Sequence, residues 1–220
     1  MKVIMAQALL QANEEIAEKN RKLFNAKKLL TVNLISAPGA GKTTLLEKTI
    51  ARLKEDLTIG VVEGDIYTTR DAERIAGQGV DVVQINTSGA CHLDANMIAT
   101  ALEELPLQDL DLLIIENVGN LVCPAEFDLG EDCKVAVFSV TEGSDKPAKY
   151  PLVFSEAQAV VINKTDLLSY TDFDMDMVVK ELTSINNNLK LFNVSAKNGE
   201  GLEAWCAWLR DLVRQKRQVS

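Results

Sequence analysis

The feature that most constrains this chain is a glycine-containing loop between an aliphatic segment and a helical one. Thr31–Ile35 is followed by Ser36-Ala-Pro-Gly-Ala-Gly-Lys-Thr43, after which apolar residues recur at helical spacing. A strand, a glycine loop and a helix in this order are typical of phosphate-binding loops, where backbone N–H groups and a helix N-terminus face a polyphosphate. Ser36 stands where the strict pattern has glycine, although the closing Gly-Lys-Thr is intact. The alternative is a chance glycine turn.

This segment, Ser36–Thr43, is called the P-loop below, and it predicts phosphate and magnesium ligands. Lys42 is expected to contact the β- and γ-phosphates, and the Thr43 hydroxyl to ligate Mg²⁺. The two glycines allow the backbone to curve around the phosphates. The predicted phosphate-binding residues are Gly39, Ala40, Gly41, Lys42, Thr43 and Thr44.

The rest of the chain alternates aliphatic runs with helical stretches. The candidate strands are Val32–Ile35, Thr58–Val62, Val82–Ile85, Leu110–Glu116, Lys134–Val140, Ala159–Asn163 and Lys190–Val194. The candidate helices are Lys42–Lys54, Arg70–Ala76, Asp94–Glu104, Met175–Ser184 and Leu202–Lys216. Continuous aliphatic runs are typical of parallel strands covered on both faces. The pattern predicts an α/β P-loop NTPase fold: a doubly wound, mostly parallel sheet with helices on both faces and ligands at the carboxyl ends of strands.

An additional helix is predicted before the first strand. Residues 4–26 place apolar side chains at broadly helical intervals, which indicates an amphipathic helix. We therefore divide the chain into an N-terminal amphipathic helix at residues 1–27 and a P-loop GTPase domain with an inserted metal site at residues 28–220.

A second motif, Asn163-Lys164-Thr165-Asp166, lies at the end of a predicted strand and is called the base loop below. The Asp166 carboxylate only accepts hydrogen bonds, so it matches the ring N–H and exocyclic amine of guanine, a donor pair that adenine lacks. Lys164 is expected to lie along the base and Asn163 to brace neighbouring loops. Ser195, Ala196 and Lys197 follow the next strand, where a backbone N–H can reach the guanine oxygen. Four residues alone can be a turn, but this position favours GTP over ATP.

Two carboxylates follow strands at the expected nucleotide edge. Glu116 ends a buried-type strand and is expected to hold Mg²⁺ or its water, with Gly119 close to the γ-phosphate. Asp65 is expected to orient water or coordinate the metal, and its alternative role is in a turn or a helix cap. The predicted catalytic residues are Lys42, Asp65 and Glu116, and the predicted magnesium ligands are Thr43, Asp65 and Glu116.

A group of soft ligands, Cys91, His92 and Cys123, is called the metal cluster below. Two sulfurs and one imidazole suit Ni²⁺ or Zn²⁺, and three ligands leave a tetrahedral position that a homodimer could complete. Adjacent Cys and His residues match no standard spacing, so the alternative is two buried cysteines and a helix-capping histidine. Cys133 and Cys206 are interpreted as packing residues.

Composition limits the remaining classes of function. The formal net charge of −9 argues against nucleic-acid binding, which needs a basic face. No segment approaches the roughly 18 apolar residues of a membrane span, and charged residues follow the N-terminus too closely for a signal peptide. We expect a cytoplasmic protein with four free thiols and without membrane or nucleic-acid partners.

Taken together, these motifs resemble the HypB family, the GTPase accessory proteins for nickel insertion into [NiFe]-hydrogenase. The resemblance rests on S-x-P-G-x-G-K-T, E-G-D at 63–65, G-A-C-H at 89–92, E-N-V-G-N-L-V-C-P at 116–124, N-K-T-D and S-A-K, in that order. It spans essentially residues 28–215 and combines phosphate, magnesium, metal and base motifs.

The resemblance implies a slow GTPase that uses GTP, Mg²⁺ and Ni²⁺ (or Zn²⁺), with metal ligands at Cys91, His92 and Cys123. It also implies a homodimer, a HypA-like nickel chaperone and the hydrogenase large-subunit precursor as partners. Lys146 or Lys149 would contact nucleotide across the dimer. Some members of the family carry an N-terminal cysteine motif and others a histidine-rich stretch; this sequence has neither, so tight nickel storage of that kind is not implied.

Two other functions stay open at the level of sequence. One is a nucleotide-gated metal-binding module with negligible hydrolysis, in which nucleotide acts only as a conformational ligand. The other is a urease-type nickel-insertion GTPase, whose metal motif resembles Cys-Pro-His rather than the adjacent Cys91-His92 of this chain.

Overall fold

The centre of the fold is a seven-stranded sheet in which every neighbouring pair of strands is parallel. The computed structural model describes residues 6–218. The strands are β1 (Leu30–Ser36), β2 (Ile59–Asp65), β3 (Asp81–Asn86), β4 (Leu112–Glu116), β5 (Cys133–Ser139), β6 (Ala159–Asn163) and β7 (Lys190–Asn193). Their spatial order is β3-β2-β4-β1-β5-β6-β7. The order changes direction around β1, and open α/β sheets bind ligands at such points.

Helices connect the strands and cover the sheet. They are α1 (Ala6–Lys27), α2 (Lys42–Leu53), α3 (Arg70–Ala76), α4 (Ala95–Leu102), α5 (Cys123–Glu126), α6 (Lys146–Lys149), α7 (Pro151–Glu156), α8 (Met175–Ile185) and α9 (Leu202–Gln218). Two 3₁₀ turns span Val140–Glu142 and Thr165–Tyr170. Among residues 6–218, no helix is both long and apolar enough to cross a membrane.

Alternate residues of the strands are buried in separate cores on the two faces of the sheet. One core packs β1, β4 and β5 against α2 and α9 and contains Ile50 and Trp205. The opposite face has two cores, one against α1 and α4 that includes Phe24, and one against α7 and α8 that includes Phe154. Burial on both faces explains why the strands read as unbroken aliphatic runs.

The predicted fold class is confirmed: the sheet is parallel, helices cover both faces, and an N-terminal helix precedes β1. All seven predicted strands and all five predicted helices are present; α3 and β6 have the predicted bounds, and the others have shifted ends. Residues 4 and 5 of the predicted N-terminal helix lie outside the described residues. The short helices α5, α6 and α7 were not predicted, because four to six residues are too few to show a helical period.

One shifted end affects the site directly. The sequence predicts a strand ending at Val62, whereas β2 continues to Asp65 because its last residues pair with β3. Glu63 therefore lies within the sheet, opposite Glu116 of β4.

Candidate functional site

The P-loop connects β1 to α2 and encloses one side of an open cavity of about 660 Å³. Gly39 and Gly41 have φ values of 79° and 89°, in the left-handed region that glycine tolerates. The cavity is lined by the P-loop, by Glu63 and Asp65 at the end of β2, by Glu116 and Gly119 at and after the end of β4, and by Lys164 of the base loop. Gly119 lies against the P-loop, since a Cβ built there would be 3.2 Å from Pro38. The predicted phosphate residues and carboxylates thus share one cavity.

The buried carboxylate of Glu116 lies at the floor of this cavity. Thr43 donates a hydrogen bond from Oγ1 to Glu116 Oε1 at 2.7 Å, and Lys42 Nζ lies 3.5 Å from the same oxygen. Glu116 Oε2 is buried and lacks a hydrogen-bond partner among residues 6–218. A hydroxyl and a carboxylate with a free buried oxygen are the donor set that Mg²⁺ takes in P-loop proteins. The residues present therefore fit a magnesium ion.

Glu63 is a second buried carboxylate at the site, and its place there was not predicted from the sequence. It is 2% exposed, and its Oε2 also lacks a partner within the described chain. Burial, together with the neighbouring Glu116, raises the pKa of Glu63 to about 8. Only the pairing of β2 with β4 reveals this neighbour, because the two strands are not consecutive in sequence.

The raised pKa of Glu63 predicts a pH-dependent free energy of unfolding. Between the ordinary value of 4.5 and about 8, the folded state binds a proton that the unfolded state releases. Stability therefore falls as pH rises through this window, by up to about 5 kcal/mol. Glu63→Gln removes the titrating group and should flatten this part of the profile. The measurement is urea unfolding without magnesium from about pH 5 to about pH 9; parallel profiles for the two proteins would contradict the assignment.

Asp65 stabilises a local turn in this structure. Its Oδ1 accepts hydrogen bonds from the backbone N–H groups of Tyr67 and Thr68, at 2.8 and 2.6 Å. A turn was one of the alternative roles considered for Asp65, besides coordinating the metal or orienting water. Asp65 also lines the cavity in which the predicted catalytic function would operate.

The base loop is fastened to the P-loop through Asn163. Its Nδ2 donates to the carbonyl oxygen of Ala40 at 2.9 Å, and its Oδ1 accepts from the backbone N–H of Ala196 at 3.1 Å. Lys164 has φ 61° and donates from Nζ to the Gly39 oxygen at 2.6 Å. The bracing role expected of Asn163 is thus present in the geometry.

Asp166 is oriented by Ser195, whose Oγ donates to Asp166 Oδ1 at 2.6 Å. Ser195 is fully buried, so this contact fixes the carboxylate relative to the loop after β7. The N–H of Ala196 is occupied by Asn163, and Lys197 is exposed. Asp166 and the loop after β7 lie outside the cavity wall, whereas Lys164 belongs to it.

Gly41 offers a direct test of the contact between the two loops. A Cβ at Gly41 would be 2.6 Å from Asn163 Nδ2, whereas a Cβ at Gly39 would meet nothing within 4 Å. Both positions have positive φ, so Gly39→Ala measures the backbone strain alone, about 1–2 kcal/mol. In Gly41→Ala the free energy of unfolding should fall by about 1–3 kcal/mol more than in Gly39→Ala, because the base loop must shift. The same shift should weaken nucleotide binding. Urea unfolding and GDP calorimetry check this; equal losses in both variants would contradict it.

The metal cluster is assembled from the loops that follow β3 and β4. Cys91 Sγ and Cys123 Sγ lie 3.0 Å apart, and Cys91 Sγ is 3.6 Å from His92 Nδ1. The ligand atoms of all three residues lie within 4.8 Å of one another, a spacing that suits one metal ion. His92 does not cap α4, because Asp94 accepts the N–H of Met97 there.

Neighbouring side chains hold the metal cluster in place. Asn120 donates from Nδ2 to the carbonyl oxygen of Cys91 and accepts from the N–H of Val122, so it connects the two loops. The ring of Phe127 lies 3.9 Å from that of His92. Burial lowers the pKa of His92, which keeps the imidazole neutral and able to bind a metal. The hydrogen bond with Cys91, followed by burial, raises the pKa of the Cys123 thiol.

The other two cysteines are packing residues, as the sequence indicates. Cys133 and Cys206 are 5% and 0% exposed and belong to the hydrophobic core. The lysines for which the resemblance implied a role across a dimer lie on α6. Lys146 pairs with Glu142 at 3.2 Å, and Lys149 pairs with Asp145 at 2.5 Å.

Comparison with known proteins gives the same assignment of family. Residues 30–193 match the family described as CobW/HypB/UreG, nucleotide-binding domain. The chain is 51% identical to the hydrogenase maturation factor HypB of Escherichia coli K12 over 201 residues, which cover 91% of this chain and 69% of the relative.

Solved structures of HypB proteins share the fold closely. HypB from Helicobacter pylori in complex with nickel has a TM-score of 0.89 at 38% identity, covering 95% of this chain and 98% of that one. HypB from Archaeoglobus fulgidus has a TM-score of 0.87 at 40% identity, covering 93% and 100%. The chain therefore belongs to the HypB family of hydrogenase maturation factors, within the CobW/HypB/UreG group of P-loop nucleotide-binding domains.

Proposed function

We propose that this protein is a GTP-hydrolysing metallochaperone that couples Mg²⁺-dependent GTP binding and hydrolysis to nickel delivery during [NiFe]-hydrogenase maturation. One observation carries the proposal. The metal cluster lies on the loops after β3 and β4, the two strands on either side of β2, and the carboxylates of β2 and β4 line the P-loop cavity. A change in the loops around the nucleotide therefore acts on the segments that hold the metal ligands.

The nucleotide half of the proposal rests on the P-loop, the base loop and Glu116. Thr43 and Glu116 would hold Mg²⁺, with Asp65 and the buried Glu63 beside them. A magnesium ion bound there supplies positive charge to the phosphate oxygens. Lys42 adds a second positive charge, and Asp65 is the candidate for orienting the attacking water. Asp166 would read the guanine edge.

Slow hydrolysis is part of the proposal. Arg74, at the wall of the cavity, pairs with Glu47 at 2.6 Å and with Asp71 at 2.9 Å. These ion pairs keep its guanidinium occupied, so it is not free to neutralise charge on a transferring phosphoryl group. We expect low intrinsic turnover until dimerisation or a partner completes the site.

Nickel is the proposed cargo of the metal cluster. Two sulfurs and one imidazole bind both Ni²⁺ and Zn²⁺, and the nickel complex of the Helicobacter pylori relative supports nickel. Three protein ligands leave a coordination position open, and Cys91 is exposed to solvent. An open, accessible site is suited to transfer rather than to a structural metal.

The proposed partners follow from the family. We propose a homodimer that receives nickel from a HypA-like chaperone and passes it to the hydrogenase large-subunit precursor. In that dimer Lys146 or Lys149 would exchange its ion pair with Glu142 or Asp145 for a contact with the partner's nucleotide.

The experiment measures GTP hydrolysis at saturating GTP with and without Ni²⁺ and a HypA-type chaperone. We expect slow turnover that depends on Mg²⁺ and is abolished in Lys42→Ala, which controls for contaminating phosphatases. No turnover under any of these conditions would instead favour a metal-binding module that uses nucleotide only as a conformational ligand.

A further inference from the structure

One buried side chain contacts both the metal loop and the nucleotide loop. Asn117 is fully buried and directly follows Glu116 at the end of β4. Its Oδ1 accepts two backbone hydrogen bonds, from Leu93 N–H at 3.1 Å and from Val118 N–H at 3.0 Å. A single amide oxygen therefore joins segments that are 24 residues apart in sequence.

Each of the two donors lies next to a functional residue. Leu93 follows His92 of the metal cluster, and Val118 precedes Gly119 and lines the P-loop cavity. Leu93 and Val118 are 0% and 3% exposed, so water cannot readily replace Asn117 as their acceptor. A buried N–H that loses its partner is costly, and the two segments are consequently constrained to move together.

The other end of the Asn117 amide is anchored in the central strand. Its Nδ2 donates to Asn33 Oδ1 at 3.2 Å, and Asn33 in turn donates to Glu131 Oε1 at 3.0 Å. Asn33 and Glu131 are also buried. The oxygen alone joins Leu93 to Val118, so a movement of Val118 pulls on the acceptor that the two N–H groups share and alters the hydrogen bond to Leu93.

We propose that Asn117 is a positioning residue that transmits the state of the nucleotide pocket to the metal cluster. The inference rests on the proposed function, in which nucleotide and metal binding are coupled. Nucleotide that contacts Gly119 displaces Val118, Asn117 follows, and the backbone beside His92 changes its geometry at the metal. By thermodynamic reciprocity, metal bound at His92 biases the nucleotide loop through the same oxygen.

The test compares Ni²⁺ dissociation constants with GDP and with a non-hydrolysable GTP analogue. Wild-type protein should show a ratio between the two states in the range of about 5- to 150-fold that is typical of coupled sites. In Asn117→Ala and Asn117→Ser the ratio should fall to within about twofold of one, while each nucleotide still binds.

Asn33→Ala is the matched control, since it deletes the neighbouring amide of the same buried chain but leaves both bonds to Asn117 Oδ1. It should lower stability as the Asn117 variants do, yet keep the wild-type ratio. An unchanged ratio in the Asn117 variants, or its loss in all three, would overturn the inference. A ratio of one in the wild type would instead refute the coupling in the proposed function.

Amide hydrogen exchange on the wild type gives a result that does not depend on variant folding. The N–H of Leu93 should change its protection between the two nucleotide states. The N–H of Ala95, two residues further on, is held by Asn13 of α1 at 2.8 Å and serves as the internal control. Equal responses of the two amides, or none, would contradict a route through Asn117.

Discussion

Asp166→Asn should weaken GTP binding by about 100-fold or more and at the same time improve binding of xanthosine triphosphate. Ser195 donates to Asp166 Oδ1, and in the variant it holds the amide oxygen in that place. The new NH₂ group then faces the two donors of guanine, which lose their acceptor. Xanthine carries a carbonyl where guanine has its amine, so it accepts from the NH₂ group. Calorimetry with GTP and with xanthosine triphosphate measures this change in nucleotide specificity.

Asp174→Asn provides the control for this change of specificity. Asp174 caps α8 through the N–H of Met177, a bond that asparagine can also accept. This variant should bind GTP as the wild type does. Unchanged GTP affinity in Asp166→Asn would refute the role of the base loop, whereas weaker GTP binding without a gain for xanthosine triphosphate would refute the orientation set by Ser195.

Cys123→Ala or Cys91→Ala should weaken Ni²⁺ binding by more than about 100-fold, because changes to outer-shell partners of a metal site already cost about 10- to 100-fold. Each variant removes one of three ligand atoms that lie within 4.8 Å of one another. Neither residue is buried in the core, so the free energy of unfolding without metal should change little. Competition with a chromogenic chelator measures the affinity.

Cys206→Ala is the matched control for the loss of a thiol. Cys206 is 0% exposed and packs in the core, so its replacement should reduce stability but leave Ni²⁺ affinity unchanged. Equal Ni²⁺ affinity in the wild type and in both cluster variants would show that the metal binds elsewhere.

The sequence predicted those features whose cause is local. The P-loop and the base loop are short motifs at strand ends, and the aliphatic runs that mark parallel strands depend only on burial. Proximity of Cys91 and Cys123 also followed, since both come after parallel strands and the carboxyl ends of such strands share one edge. The roles of Asp65 and Glu116 toward Mg²⁺ stay predictions.

Features that depend on strand order were not accessible from the sequence. Glu63 meets Glu116 because β2 pairs with β4 in a particular register. Asn117 and Asn33 meet because β1 pairs with β4 on the other side, and neither pairing joins consecutive strands. A buried asparagine also carries no motif: its importance comes from which backbone groups it accepts, and those are set by the tertiary fold.

The most direct test of the central claim is to measure nickel content per chain together with molecular mass, at a fixed and limiting Ni²⁺ concentration, with GDP and with a non-hydrolysable GTP analogue. Coupling requires metal and nucleotide to favour different states of the same molecule. We predict that the nickel content differs between the two nucleotides and that the difference is accompanied by a change in the fraction of dimer. The same nickel content and the same mass with both nucleotides would contradict a GTP-controlled delivery of nickel.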